Sequence, residues 1–151
     1  MPVVSTRHIT GESPERVWAA LLDCEAFPSY MTEVAAVDVL RQEGERRISR
    51  WSVQLRGSEL EWEEEDLIDP ARRRIDFRQT EGDLARYTGH WQVGADGART
   101  TVELEVDFDL GIPLMAEMLD PIAKRALRDF SQAVLGSLGE RAAGAAAGTG
   151  R

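Results

Sequence analysis

The chain has 151 residues, 42% hydrophobic and 30% charged, with a formal net charge of −9; one core needs no disulfide or metal staple at this size, and the composition is not that of a disordered chain. The negative charge would repel a phosphate backbone, and the basic run Arg72-Arg73-Arg74 is bracketed by acids, so a nucleic-acid partner is excluded. A lone Cys24, an N-terminus without a basic segment leading into an apolar run, and the lack of a long apolar stretch set the expectation of a cytoplasmic protein without membrane insertion.

Pro2 to Thr10, rich in Val, Ile and Thr, predicts a first strand. Ser13-Pro14-Glu15-Arg16 carries a capping serine followed by proline at the first helical position. Val17, Trp18, Leu21 and Leu22 form one apolar stripe and Phe27-Pro28 redirects the chain, so two short helices are expected at 14–22 and 25–30.

Five turn segments, Gln42-Glu43-Gly44, Arg56-Gly57-Ser58, Asp69-Pro70-Ala71, Glu81-Gly82-Asp83 and Gly94-Ala95-Asp96-Gly97, divide the stretch from Glu33 to Asp109 into six strands. Their short spacing requires antiparallel hairpins. After Gly111-Ile112-Pro113 the period becomes helical, with Met115, Met118, Leu119, Ile122, Ala126, Phe130, Ala133 and Val134 on one stripe that ends at Gly136 to Gly139. Residues 1–141 then form a single domain, and the Ala/Gly-rich 142–151 a disordered tail. Seven antiparallel strands and one long amphipathic helix make an α+β fold, in which a curved sheet wraps the helix and leaves a cleft between them.

One strand breaks its own pattern. At period two, Leu60, Trp62, Glu64, Asp66 and Ile68 share a face, so two carboxylates lie where the pattern asks for core residues. Their backbone positions are about 6.5–7 Å apart, close enough to share one ligand. Two acids in an apolar cleft resist double ionisation, which leaves one as acid and one as base, a pair suited to moving protons on and off a carbonyl substrate. The alternatives are ligand contact without catalysis, and a structural role in which Asp66 reaches solvent and Glu64 pairs with an arginine such as Arg73.

Tyr87, Gly89 and Trp91 alternate on another strand: Tyr87 is a candidate donor to an enolate oxygen, Gly89 leaves room for a ligand, and Trp91 is a wall. Each also has a plain core reading. Ser49 with Trp51, and Phe77 with Gln79, extend the inward surface, with Ser49 and Gln79 able to orient a ligand carbonyl. Met115, Met118, Leu119 and Ile122 would face the cleft from the last helix, and Tyr30 and Met31 would edge a lid. His8 and His90 fall on the face away from the walls, and Glu61, Glu63 and Glu65 form a solvated outer face meeting Arg74 and Arg78. No His/Cys/Asp/Glu cluster has metal-ligand spacing, and no phosphate loop, nucleotide fingerprint or Ser/Cys nucleophile is evident. The expected chemistry uses no cofactor.

The order of elements, with Phe27-Pro28, Leu60-Glu61-Trp62, the segment from Glu81 to Trp91 and Asp107-Phe108-Asp109-Leu110, resembles the polyketide cyclase/dehydrase family of the START-like, helix-grip (Bet v 1-like) superfamily over roughly residues 3–140. Two branches look similar: the aromatase/cyclases of type II polyketide pathways and the coenzyme-Q-binding proteins. The first implies a hydrophobic poly-ketone chain as substrate, with an acyl carrier protein as a possible deliverer, on which Glu64, Asp66 and Tyr87, singled out above from their strand positions, would be the catalytic residues. It also implies cavity walls from Trp62 and Trp91 and an entry helix at Phe27-Pro28. The second implies a carrier or chaperone for a quinone, lipid or other hydrophobic molecule. The aromatase/cyclase branch typically carries arginine at the position of Asp66 and tyrosine at that of Val34, and this chain has neither.

Overall fold

In a computed structural model, the described residues are 3–55, 58–109 and 116–149, with side chains omitted at 55, 58, 116–120 and 145–149. The order is β1 (Val3–Thr10), α1 (Pro14–Leu22), a 3-10 helix (Cys24–Ser29), β2 (Val34–Glu43), β3 (Arg46–Leu55), β4 (Ser58–Asp69), β5 (Arg74–Gly82), β6 (Arg86–Asp96), β7 (Arg99–Asp109) and α2 (Ala116–Thr149). All seven strands form one antiparallel sheet in the order β1-β7-β6-β5-β4-β3-β2. This is the helix-grip fold, with the expected antiparallel hairpins and the two short helices after β1.

Local chemistry accounts for the elements that frame the cleft. The Ser13 side chain accepts from the Arg16 amide at the start of α1 and Pro14 occupies its first turn, while Val17 and Leu21 turn inward. The Glu25 carboxylate accepts the Val39 amide, which ties the 3-10 helix to edge strand β2 and seats Cys24 and Phe27 in the core. Gly44 and Gly97 sit at φ 61° and 64° in the β2–β3 and β6–β7 turns, where a side chain would be strained.

Two expectations about the last helix are corrected. The helix does not end at Gly136 to Gly139 but continues to Thr149, and Ala142 is fully buried. The expected tail from 142 is therefore helical through Thr149. The buried stripe is met in part: Ala126, Phe130 and Val134 point inward as expected and are joined by Leu127, Ser131, Leu135 and Leu138, whereas Ile122 is 60% exposed. Each four-residue step advances about 40° beyond a full turn, so a row extrapolated back from Phe130 leaves the buried face by Ile122.

His8 is also corrected. It shares the inward register of Val4 and Thr6 on β1, and a side chain at Gly139 would come within 2.7 Å of its Nε2. Gly139 is thus the site of a close approach between α2 and β1. His90 does face outward, with Nε2 3.2 Å from Glu103. On the same outer surface Glu65 meets Arg46 and Arg78, but Arg74 pairs with Asp76 on its own strand.

Candidate functional site

Strand register assembles the site. Across β3 and β4 the directly opposed pairs are Arg47↔Asp66, Ser49↔Glu64, Trp51↔Trp62 and Val53↔Leu60, all on the concave face. The next strand brings Gln79 opposite Glu64 and Phe77 opposite Asp66, with Gly89 opposite Phe77 beyond. Between the pairs Glu63↔Glu81 and Glu64↔Gln79 the extra residue Thr80 bulges β5, which lets Gln79 on one side and Gly82 on the other both stand opposite inward residues of β4.

Both acids are buried, Glu64 at 3% and Asp66 at 0% exposure, so the reading in which Asp66 reaches solvent is excluded. They do not do the same thing. Asp66 is held from behind: its Oδ2 accepts Arg47 Nε at 2.8 Å and the Ser49 hydroxyl at 2.9 Å. Arg47 spends Nη1 on the Leu22 carbonyl at 3.1 Å, and Trp51 donates its indole N–H to Ser49 at 3.0 Å. Arg73, the arginine expected near Glu64, instead pairs with Glu15 at the surface.

Glu64 faces the cleft, with Oε1 accepting the Trp62 indole N–H at 2.7 Å. Burial, then the neighbouring Asp66 carboxylate and the hydrogen bond to it, push the Glu64 carboxyl well above the usual carboxylate range. The Trp62 bond and the Arg47 charge oppose this shift without reversing it. Asp66 Oδ1 is buried without a donor, and a proton on Glu64 would supply one. With that proton in place, the Arg47–Asp66 ion pair and Glu64 would together carry no net charge. Cys24 adjoins them, and burial pushes its thiol up to about 11, which makes it unreactive.

The cleft has two chambers. The inner one is bounded by Trp51, Phe77, Trp91, Leu104 and Val134 together with Glu64 and Val34. The outer one is bounded by Val53, Leu60, Leu84, Phe108, Ala123 and Leu127. Trp62, Tyr87 and Phe130 border both. The Trp62 ring lies parallel to Trp51 at 6.0 Å and tilted on Tyr87 at 4.8 Å, forming a continuous aromatic wall. The chambers are small, about 10 Å³ for the inner and about 40 Å³ for the outer. Trp62, Tyr87 and Phe130 form the constriction between them. Burial, then the Glu64 charge, raise the Tyr87 hydroxyl far above its ordinary value, so it stays protonated.

Of the expected site residues, Glu64, Trp51, Trp62, Phe77, Tyr87 and Trp91 meet around the inner chamber. Phe27 stands behind the wall, edge-on to Trp51. Ser49 and Asp66 back Glu64 rather than line the space. Gln79 turns aside to donate to the Leu84 carbonyl. Gly89 does not leave room for a ligand: a side chain there would collide with the Glu105 carbonyl and come 2.9 Å from the Phe77 ring. Met31 is core, and Tyr30 packs edge-on to Phe27 beneath the Arg141 guanidinium, so neither edges a lid over the two chambers. Ile122 points to solvent, Met115 lies outside the described residues, and only the backbone is described at Met118 and Leu119.

Arg47 is the residue that sequence reading missed. Its signal was present, since Arg47, Ser49, Trp51 and Val53 share one parity and the row of inward residues stopped one step short. Phe130 was read as core; only the packing of α2 on the sheet makes it part of the constriction.

The profile of the family described as polyketide cyclase/dehydrase and lipid transport matches residues 11–135. Among solved structures, TTHA0849 from Thermus thermophilus is 31% identical, covering 95% of this chain and 99% of that one, with a TM-score of 0.89. Zhui aromatase/cyclase from Streptomyces is 21% identical over 93% of this chain and 92% of that one, with a TM-score of 0.83. A START superfamily protein from Mycobacterium smegmatis is 18% identical over 93% and 99%, with a TM-score of 0.75. The last two likenesses speak to the fold alone. No match was found among curated proteins.

Proposed function

The chain belongs to the polyketide cyclase/dehydrase and lipid transport family, and we propose that it binds a hydrophobic poly-ketone chain in the cleft and promotes ring closure or dehydration without a cofactor. The observation that carries this reading is Glu64, a buried carboxyl facing an otherwise aromatic and aliphatic chamber and backed by a fixed Asp66–Arg47 pair. Burial and the neighbouring carboxylate raise its proton affinity, as suits a group that gives and takes a proton.

One carboxyl suffices for dehydration. The elimination is concerted: one Glu64 oxygen takes the acidic hydrogen from the carbon between two carbonyls while the carboxyl proton passes to the leaving hydroxyl, so that the C–H and C–O bonds break as the C=C bond forms through an enolate-like state, water departs, and Glu64 ends protonated as it began. Asp66 acts as a positioning residue, accepting from Glu64 at rest and held by Arg47 and Ser49. The Tyr87 hydroxyl supports the enolate oxygen. The aromatic walls hold the folded chain as a reactive conformer away from water.

The experiment is turnover of a synthetic poly-β-ketone mimic, followed by chromatography and mass spectrometry, in the wild type, Glu64→Gln and Asp66→Asn. Glu64→Gln should abolish turnover while ligand affinity is largely kept, and Asp66→Asn should lower turnover strongly. Unchanged turnover in both variants would sink the assignment.

A second reading, a non-catalytic binding protein or chaperone for a quinone, lipid or other hydrophobic molecule, is favoured by the outer chamber, whose lining among the described residues is apolar apart from the Tyr87 and Trp62 rings. Wild-type protein that binds the mimic and returns it unchanged would decide for that reading.

A further inference from the structure

The geometry points to a cleft that selects uncharged amphiphiles: a carbonyl or enol oxygen meets Glu64 in the inner chamber, the apolar end fills the outer one, and carboxylates and phosphates are refused. This deepens the preceding reading, and rests on it only in taking the cleft as the ligand site.

The selectivity follows from where the cations are. Among the described residues, no lysine, arginine or histidine lines either chamber. The nearest guanidinium, Arg47, is 4% exposed, and its Nε and Nη1 are occupied by Asp66 and the Leu22 carbonyl. Its charge is cancelled by Asp66 before it could reach the inner chamber. An anionic head entering that space would lose its hydration, find no free cation, and approach the Asp66 carboxylate behind Glu64.

A neutral oxygen fits. Glu64 is buried at the chamber wall, its Oε1 already accepts from Trp62, and burial and Asp66 favour a proton on its carboxyl. It can meet a ligand by turning that proton to a carbonyl oxygen, or by accepting from an enol. Either bond leaves the cluster neutral. The outer chamber, closed by Leu60, Leu84, Phe108 and Leu127, offers only dispersion and burial, which suits an alkyl or aryl end.

The test uses two unreactive probes with the same hexyl chain, hexyl methyl ketone and heptanoate, titrated at about pH 8, where the acid is ionised. The readout is the fluorescence of Trp51, Trp62 and Trp91, which form the chamber walls. The ketone is expected to bind saturably and at least about tenfold more tightly than heptanoate. Glu64→Gln, whose amide keeps both an acceptor for Trp62 and a donor, should retain that preference. Glu64→Leu should weaken the ketone by roughly three- to tenfold without improving heptanoate.

Heptanoate binding as tightly as the ketone, saturable binding of neither probe, or a ketone affinity indifferent to Glu64→Leu would each overturn the inference. If the leucine variant does not fold, the wild-type and glutamine titrations decide it. Neither probe can cyclise, since each has one carbonyl, so this result is separable from turnover. A ketone preference without turnover keeps the selectivity and removes the enzyme; turnover with equal heptanoate binding does the reverse.

Discussion

Arg47 and Asp66 face each other across β3 and β4 and form a 2.8 Å ion pair with side chains only 5% and 1% exposed, a doubly buried bridge directly behind the acid that lines the cleft. Breaking such a pair leaves an uncompensated charge in the core. Arg47→Met and Asp66→Leu should each lower stability by about 3–5 kcal/mol. The double variant should lose clearly less than the sum, because it leaves no lone charge. Urea unfolding of the four proteins measures the coupling, and strict additivity would mean that the pair does not interact.

The Glu64 carboxyl makes stability fall as pH rises. Its folded pKa is raised above the ordinary value of 4.5, so between that value and its folded pKa the folded chain binds more protons than the unfolded one. Stability from this group is fully present below about pH 4.5 and is lost as pH climbs through the folded pKa. Glu64→Gln mimics the protonated acid, accepting from Trp62 and donating to Asp66 Oδ1, and does not titrate. Its melting temperature relative to wild type should therefore rise steadily from pH 5 to pH 8, as thermal melts can follow. A constant difference would show that Glu64 is already ionised at the lower pH.

Phe130 borders both chambers with Trp62 and Tyr87. Phe130→Ala should join them into one space, at a stability cost of about 3–5 kcal/mol. A wide neutral probe such as methyl naphthyl ketone should then bind more tightly than to wild type, while Phe130→Leu gives an intermediate result. Calorimetric titration checks the order of the three proteins; equal affinities would mean that Phe130 does not limit the opening.

Much of the cleft was legible because strands have a period of two. Leu60, Trp62, Glu64, Asp66 and Ile68 face inward as their spacing requires, and Trp51, Phe77, Tyr87 and Trp91 join them. Parity says which face a residue takes, but not which residue stands opposite. The partner of Asp66 is a matter of register between β3 and β4, set by hairpin geometry rather than by composition, so Arg47 went unread and Arg73 stood in its place. The α2 contribution failed for a related reason, since small errors in helical phase accumulate along the chain and put Ile122 on the wrong side.

The sequence by itself determined that seven antiparallel strands would grip one long helix and that two acids would lie on the gripping face, because local periodicity and turn chemistry carry that information. That the acids are unequal emerged from the packing. Asp66 is paired with Arg47 and withdrawn from the cleft, and Glu64 is left facing aromatic walls, where burial raises its proton affinity. That division depends on distances between residues far apart in the chain, and in a buried setting a few ångströms of separation from a guanidinium determine which carboxyl keeps its proton.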